Sequence, residues 1–150
     1  MNNNLLIFRP FNKKDINEVL DLLINLSITN NEFFHPYKFD KKTLLKNYNS
    51  DDFYFVMVIN NVIIGYSFLR FFGYKIPSFG CCIKNGYENK GYGEKITKLT
   101  IKKAKELGYK KVILKTYKKN IFAKKIYDKV GFKVIGETDD KRQYKMELIL

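Results

Sequence analysis

Cysteine is too scarce in this sequence for disulfides to hold the fold together. The only two, Cys81 and Cys82, are neighbours, so they cannot staple distant segments, and they lack the spacing of a metal site or a Cys-x-x-Cys redox pair. They read as small buried hydrophobes, and no metal is expected. Proline is also sparse, at Pro10, Pro36 and Pro77, each where a turn or an element edge is expected. No Pro/Gly/Ser-rich linker, repeat or low-complexity tract divides the chain. With 150 residues, the expectation is one domain over 1–150, a size that buries roughly two thirds of the surface exposed when unfolded. No apolar run approaches the roughly 18 residues of a membrane span. The opening Met1-Asn2-Asn3-Asn4-Leu5-Leu6-Ile7 lacks the basic region, long apolar stretch and small-residue cleavage site of a signal peptide. The expected location is cytoplasmic, with no membrane partner.

What is abundant is apolar and basic. Hydrophobic residues make up 45% and aromatics 16%, enough for a packed core and too much for a disordered chain. The net charge is +13 at pH 7, which invites a polyanion partner. Arginine occurs only at Arg9, Arg70 and Arg142, so the charge is nearly all lysine, accompanied by the Asn, Ile, Tyr and Phe that AT-rich codons also encode. Nucleic acid is therefore not the expected partner, although a phosphate-rich cofactor would suit the field.

Leu5 to Phe11 reads as a strand, and Asn12 with Asp15 marks a helix start for the apolar spacing Ile16, Val19, Leu20, Leu23, Leu26. Asn30 to Phe39 has no clean period and is expected to be a loop, after which Asp40 caps a short helix carrying Leu44, Leu45 and Tyr48. Phe53 to Ile59 and Val62 to Phe72 predict a hairpin across Asn60-Asn61, a pair that tolerates positive φ. Ser78 to Lys84 predicts a strand. Ile96, Thr100, Ile101, Ala104 and Leu107 then form one helical face that Gly108 stops. Lys111 to Tyr117 is a strand suited to burial on both faces. Asn120 caps a helix with Phe122, Ala123, Ile126, Tyr127 and Val130 on one side, and Phe132 to Gly136 and Gln143 to Leu150 are two last strands. The order β-α-α-β-β-β-α-β-α-β-β predicts a mixed α/β sheet with helices on its faces, and Ser78 to Tyr117 should form a parallel, right-handed strand-helix-strand unit.

The informative segment, Ile83-Lys84-Asn85-Gly86-Tyr87-Glu88-Asn89-Lys90-Gly91-Tyr92-Gly93-Glu94, runs out of a strand into a helix. Glycines there let backbone approach a ligand, while free N–H groups and the helix dipole favour an anion. Alone, Gly91-x-Gly93 describes many tight turns. One strand later comes Asn120-Ile121-Phe122-Ala123-Lys124-Lys125-Ile126-Tyr127-Asp128-Lys129-Val130-Gly131-Phe132, and with both segments the chain resembles the GNAT family of acetyl-CoA-dependent N-acetyltransferases. That family pairs an Arg/Gln-x-x-Gly-x-Gly/Ala loop with a later Asn-x-x-Ala-x-x-x-Tyr-x-x-x-Gly-Phe segment. The resemblance implies the GNAT fold over essentially the whole chain, acetyl-CoA as cosubstrate and a primary amine as acceptor.

The same resemblance implies roles. The backbone of Cys81, Cys82 and Ile83 pairs with the pantetheine arm. Asn89, Lys90, Gly91, Tyr92, Gly93 and Glu94 hold the pyrophosphate, and Asn120 stands near the pantetheine and thioester. Tyr127 donates a proton to the departing CoA thiolate; its chemistry suits that, since a hydroxyl beside a leaving sulfur can stabilise or protonate it. Read without the resemblance, Tyr127 is a core aromatic.

Two departures stand out. Glu88 replaces the usual Arg or Gln, so either its side chain points away from the phosphates or the cofactor binds less well. Lys115 occupies a strand position where some protein N-terminal acetyltransferases carry a glutamate base, and no Asp or Glu occurs from Phe53 through Tyr87 or from Leu107 through Tyr127. The remaining base candidates are Glu32, His35, Glu137 and water. Phe33, Phe34, His35 and Tyr37 are candidates for the acceptor pocket wall. With Arg70, Lys75, Lys84 and Lys115 on or beside the central strands, the field favours a small neutral or anionic amine. A protein amino group, an aminoacyl-tRNA amino group, a CoA-binding module without turnover, and a homodimer stay open.

Overall fold

The computed structural model describes residues 5–73 and 75–150. Met1 to Asn4, which enter the reading of the chain start, lie outside the described residues.

In chain order the elements are β1 (Leu6–Pro10), a 3-10 turn (Lys13–Asp15), α1 (Ile16–Ile24), α2 (Ile28–Phe33), α3 (Lys41–Tyr48), β2 (Phe53–Ile59), β3 (Val62–Arg70), β4 (Ser78–Ile83), α4 (Tyr92–Glu106), β5 (Lys111–Tyr117), α5 (Ile121–Val130), β6 (Lys133–Glu137) and β7 (Gln143–Ile149). The strands form one seven-stranded sheet in the order β1-β2-β3-β4-β5-β7-β6. Every neighbouring pair is antiparallel except β4–β5, which is parallel. The mixed sheet predicted from the sequence is the one observed.

Local chemistry sets the element ends. Asn60 and Asn61 take φ of 50° and 64° in the β2–β3 turn, where Asn is among the few side-chain-bearing residues that accept positive φ. Asp40 Oδ1 accepts from the Thr43 amide at 2.8 Å, a cap worth about 1 kcal/mol. Asp15 accepts from the Asn12 amide at 2.8 Å and from both Arg9 Nη atoms at 2.7 and 2.9 Å, tying the first turn to β1.

One element departs from expectation. The segment from Asn30, read as a loop, begins inside helix α2. The sequence shows no apolar period because none of the residues of α2 is buried. The helix is held instead by its cap, Ser27 Oγ accepting from the Asn30 amide at 3.2 Å, and by contacts with the cleft described below.

The alternation along each strand divides the core in two. On one face α1 and α3 bring Val19, Leu22, Leu23 and Leu44 against Tyr54, Val56, Tyr66, Phe68 and Cys82. On the other, α4 and α5 cover Phe55, Leu69, Phe79, Val112, Leu114 and Met146, and further along Met57, Ile64 and Ile83. Helix α4 lies close to the sheet: a Cβ on Gly65 would stand 3.0 Å from the Ile96 side chain. Buried Ser67 and Thr100 hydroxyls meet at 2.7 Å across that seam. Helix α5 covers less than its sequence suggests. It has no fully buried residue, and Phe122, expected on its apolar face, is 72% exposed, because the first turn of α5 overhangs the gap in the sheet.

That gap positions the site. Ser78↔Ile113 is the single register pair joining β4 to β5, supported by Ile113 N donating to Pro77 O at 3.0 Å. Beyond it the two strands diverge, whereas β4 and β3 stay paired over six positions.

Candidate active site

Where β4 and β5 part, a cleft of about 490 Å³ opens. Its walls are Phe79 to Ile83 from β4, Lys115, Thr116 and Tyr117 from β5, and Asn120, Phe122, Ala123, Lys125, Ile126 and Tyr127 from α5. Glu88, Asn89, Gly91, Gly93, Glu94 and Thr97 line it where α4 begins, and Thr29, Asn30, Phe33 and Phe34 come from α2 and its end.

The cleft therefore brings together Cys81, Cys82, Ile83, Asn89, Gly91, Gly93, Glu94, Asn120 and Tyr127, and with them Phe33 and Phe34. Lys90 and Tyr92 do not line it. Lys90 Nζ sits over the Tyr87 ring at 5.7 Å, and Tyr92 packs against the same ring, centroids 6.5 Å apart. His35 and Tyr37 are also elsewhere. His35 turns back to the Glu32 carbonyl, Nε2 to O 2.9 Å. Tyr37 points into the core, its hydroxyl 2.6 Å from that of Tyr66, and burial pushes its pKa well above the usual phenol value.

At the head of α4 the chain turns through Asn89 and Gly91, with φ of 60° and 85°. Gly91 is the N-cap residue and carries no side chain that could satisfy the first-turn amides, so these face the cleft with the helix dipole behind them. A Cβ at Gly91 would meet nothing within 4 Å. Thr97 seals the next turn by donating from Oγ1 to Gly93 O at 2.7 Å.

Tyr127 sits at the floor between Phe79 and Phe132, edge-on to both at 6.1 and 5.8 Å. Burial, and after it the neighbouring Cys81 thiol, raise its pKa well above the ordinary phenol value. Burial also pushes the Cys81 thiol up to about 11, against the pull of Thr97 and Tyr127. Both groups hold their protons at neutral pH. Contrary to a fully buried small hydrophobe, Cys81 is half-exposed to the cleft, while Cys82 on the opposite face is buried. Asn120 serves first as a cap, Oδ1 accepting from the Ala123 amide at 3.4 Å.

Among the described lining residues only Glu88 and Glu94 are carboxylates. Glu94 is matched by Lys129 and Lys98 at 3.0 and 3.1 Å. Glu88 Oε2 accepts from Ser27 Oγ at 3.1 Å. Glu137 pairs with Lys118 at 2.9 Å and, like Glu32, does not line the cleft. Sequence reasoning passed over Thr97, Thr116, Tyr117 and Phe122. Thr97 had a signal, standing one helical turn after Gly93 on the glycine side of α4.

The parallel pair parts beside a glycine-capped helix with half-buried Tyr127 at the fork, which brings together the two segments that carry the resemblance to the GNAT acetyltransferases. The model of the acetyltransferase (GNAT) family matches residues 22–132, and the chain belongs to that family. It is accordingly an acetyltransferase whose cosubstrate is acetyl-CoA. No curated protein sequence matches the chain. Solved structures share its fold: a GNAT-family acetyltransferase from Streptococcus pneumoniae (TM-score 0.77, 20% identity, 97% of this chain and 99% of that one). Another is ribosomal-protein-S5-alanine acetyltransferase from Vibrio fischeri (TM-score 0.80, 16% identity, 96% and 92%). A third is yncA from Salmonella typhimurium, solved with its cofactor acetyl-CoA (TM-score 0.81, 18% identity, 97% and 94%).

Proposed function

We propose that the chain, as one GNAT domain, moves acetyl from acetyl-CoA to a primary amine by direct attack with both substrates bound. The observation that carries this reading is the placement of Tyr127 in the same cleft as the open first turn of α4. Acetyl-CoA supplies an activated acetyl thioester. The free edge of β4 at Cys81, Cys82 and Ile83 offers backbone groups to an extended amide-bearing arm, and the amides from Asn89 to Glu94 hold an anion. Tyr127 keeps its proton at neutrality and offers it where negative charge develops on sulfur. Asp128, the one carboxylate on β5 or α5, pairs with Lys124 at 2.7 Å and does not line the cleft, so water takes the amine's proton.

The acceptor we propose is small and neutral or anionic. Lys115 and Lys125 line the cleft, Glu94 is already paired with two lysines, and Glu88 is turned to Ser27, so the field there disfavours a polycation. An ammonium-rich peptide is disfavoured by the same field. Turnover of acetyl-CoA against a panel of polyamines, amino sugars, nucleotide-linked sugars, amino acids and peptides tests this. Acetylation of spermidine with no activity on neutral or anionic amines overturns it.

The free thiols fit a reducing, cytoplasmic setting. A homodimer is the partner reading with support, since β6 is a sheet edge presenting exposed Val134 and Ile135; sedimentation checks it.

A further inference from the structure

We propose that Glu88 is a positioning residue for α2, fastening that helix across the cleft, and not a ligand of the cofactor's phosphates. Glu88 stands at the turn before α4, while Ser27 stands at the start of α2, and the two meet at 3.1 Å. The Ser27 hydroxyl does two things: it donates to Glu88 Oε2 and accepts from the Asn30 amide at 3.2 Å. A carboxylate acceptor polarises the hydroxyl and strengthens the cap it makes. At the other end of α2, Phe33 meets Tyr117 of β5, ring centroids 5.6 Å apart.

Helix α2 thus touches both lips of the gap, one end on the loop after β4 and the other on β5. It needs these fastenings because it buries none of its own residues, and six residues are too few to be helical alone. With Oε2 held by Ser27, the carboxylate is turned toward α2, and its second oxygen is buried without a partner. The charge at a position next to the anion-holding amides is thereby directed to a hydroxyl and away from the incoming phosphates.

The cofactor arm of the test rests on the acetyl-CoA reading; the α2 arm does not. Millisecond amide hydrogen exchange on the full chain, with calorimetric titration of CoA, compares Glu88→Ala and Glu88→Gln with the parent. Glu88→Ala, which leaves Ser27 without an acceptor, is expected to speed exchange in the 30–34 amides roughly tenfold, the size expected for one lost charge-assisted hydrogen bond. Amides of β4 and α4 should stay within about twofold. Glu88→Gln keeps an acceptor oxygen without the charge and is expected to recover much of that loss, with rates within about threefold of the parent. Both variants should bind CoA at least as tightly as the parent. Unchanged α2 exchange in Glu88→Ala, equal loss in Glu88→Gln, or weaker CoA binding in both overturns the proposal. If the parent itself fails to bind CoA, the cofactor reading fails, and the exchange comparison still decides the role of Glu88.

Discussion

The two edges of β4 have the same sequence and opposite fates. Toward β3 the ladder runs from Arg70↔Ser78 to Gly65↔Ile83, and the side chains beneath it, such as Leu69 and Ile64, are fully buried. Toward β5 pairing stops after Ser78, and the residues along the open edge face a cleft. The closed edge spends its backbone groups on the fold; the open edge leaves them unspent by β5. Stability and chemistry should therefore respond separately to changes on the two sides.

The largest effect is expected on the closed side. Leu69→Ala removes a fully buried side chain and should cost about 2–5 kcal/mol, read by denaturant unfolding, with CoA affinity per folded molecule unchanged. A parallel fall in affinity would mean that the two edges are coupled. On the open side Tyr127→Phe should lower kcat by about a hundredfold while the acetyl-CoA KM stays within a few fold, because the ring still packs on Phe79 and Phe132. Equal turnover with an accepted amine would return Tyr127 to the core.

Gly91→Asp comes next. Its φ of 85° makes any side chain strained, and its charge would lie before the first-turn amides proposed to hold the anion, so CoA affinity should drop roughly tenfold or more. Calorimetry on the folded variant decides it. The smallest effect belongs to a site remote from either edge. Burial raises the Asp15 carboxyl, but Arg9 and the Asn12 amide outweigh it and hold the pKa below the usual 3.8. The folded value is the lower one, so this contribution is complete above about pH 4 and fades as pH falls through the folded value. Asp15→Asn should flatten the acid limb of a Tm-against-pH profile and leave cofactor binding alone.

How much of this was legible beforehand depends on the range of the interactions. The Asn60-Asn61 turn and the caps at Asp40 and Asn120 rest on neighbours within three residues and could be read directly. So could the glycine loop and the α5 segment, whose paired spacing pointed to the family. Helix α2 could not, because its partners Glu88 and Tyr117 are far away in the chain and four of its six residues are polar. Tyr37 and His35 share a segment with Phe33 and Phe34, yet only the phenylalanines reach the cleft. The Tyr66 hydroxyl claims one and the Glu32 carbonyl the other, and nothing in the local pattern records either claim. The carboxylate of Glu88, ambiguous as text, is resolved once Ser27 stands beside it.

The adjacent cysteines carry a practical consequence. Successive residues of a strand face opposite sides, so the pair samples two environments: both residues border the cleft, but Cys81 is half-exposed there while Cys82 is buried in the core. Burial suppresses thiolate formation at both, so alkylation is slow, but only Cys81 has a path to a reagent. A maleimide footprint read by mass spectrometry should mark one thiol, and a molecule lying along β4 should protect it. The chain carries its own occupancy gauge, with the neighbouring Cys82 as internal blank.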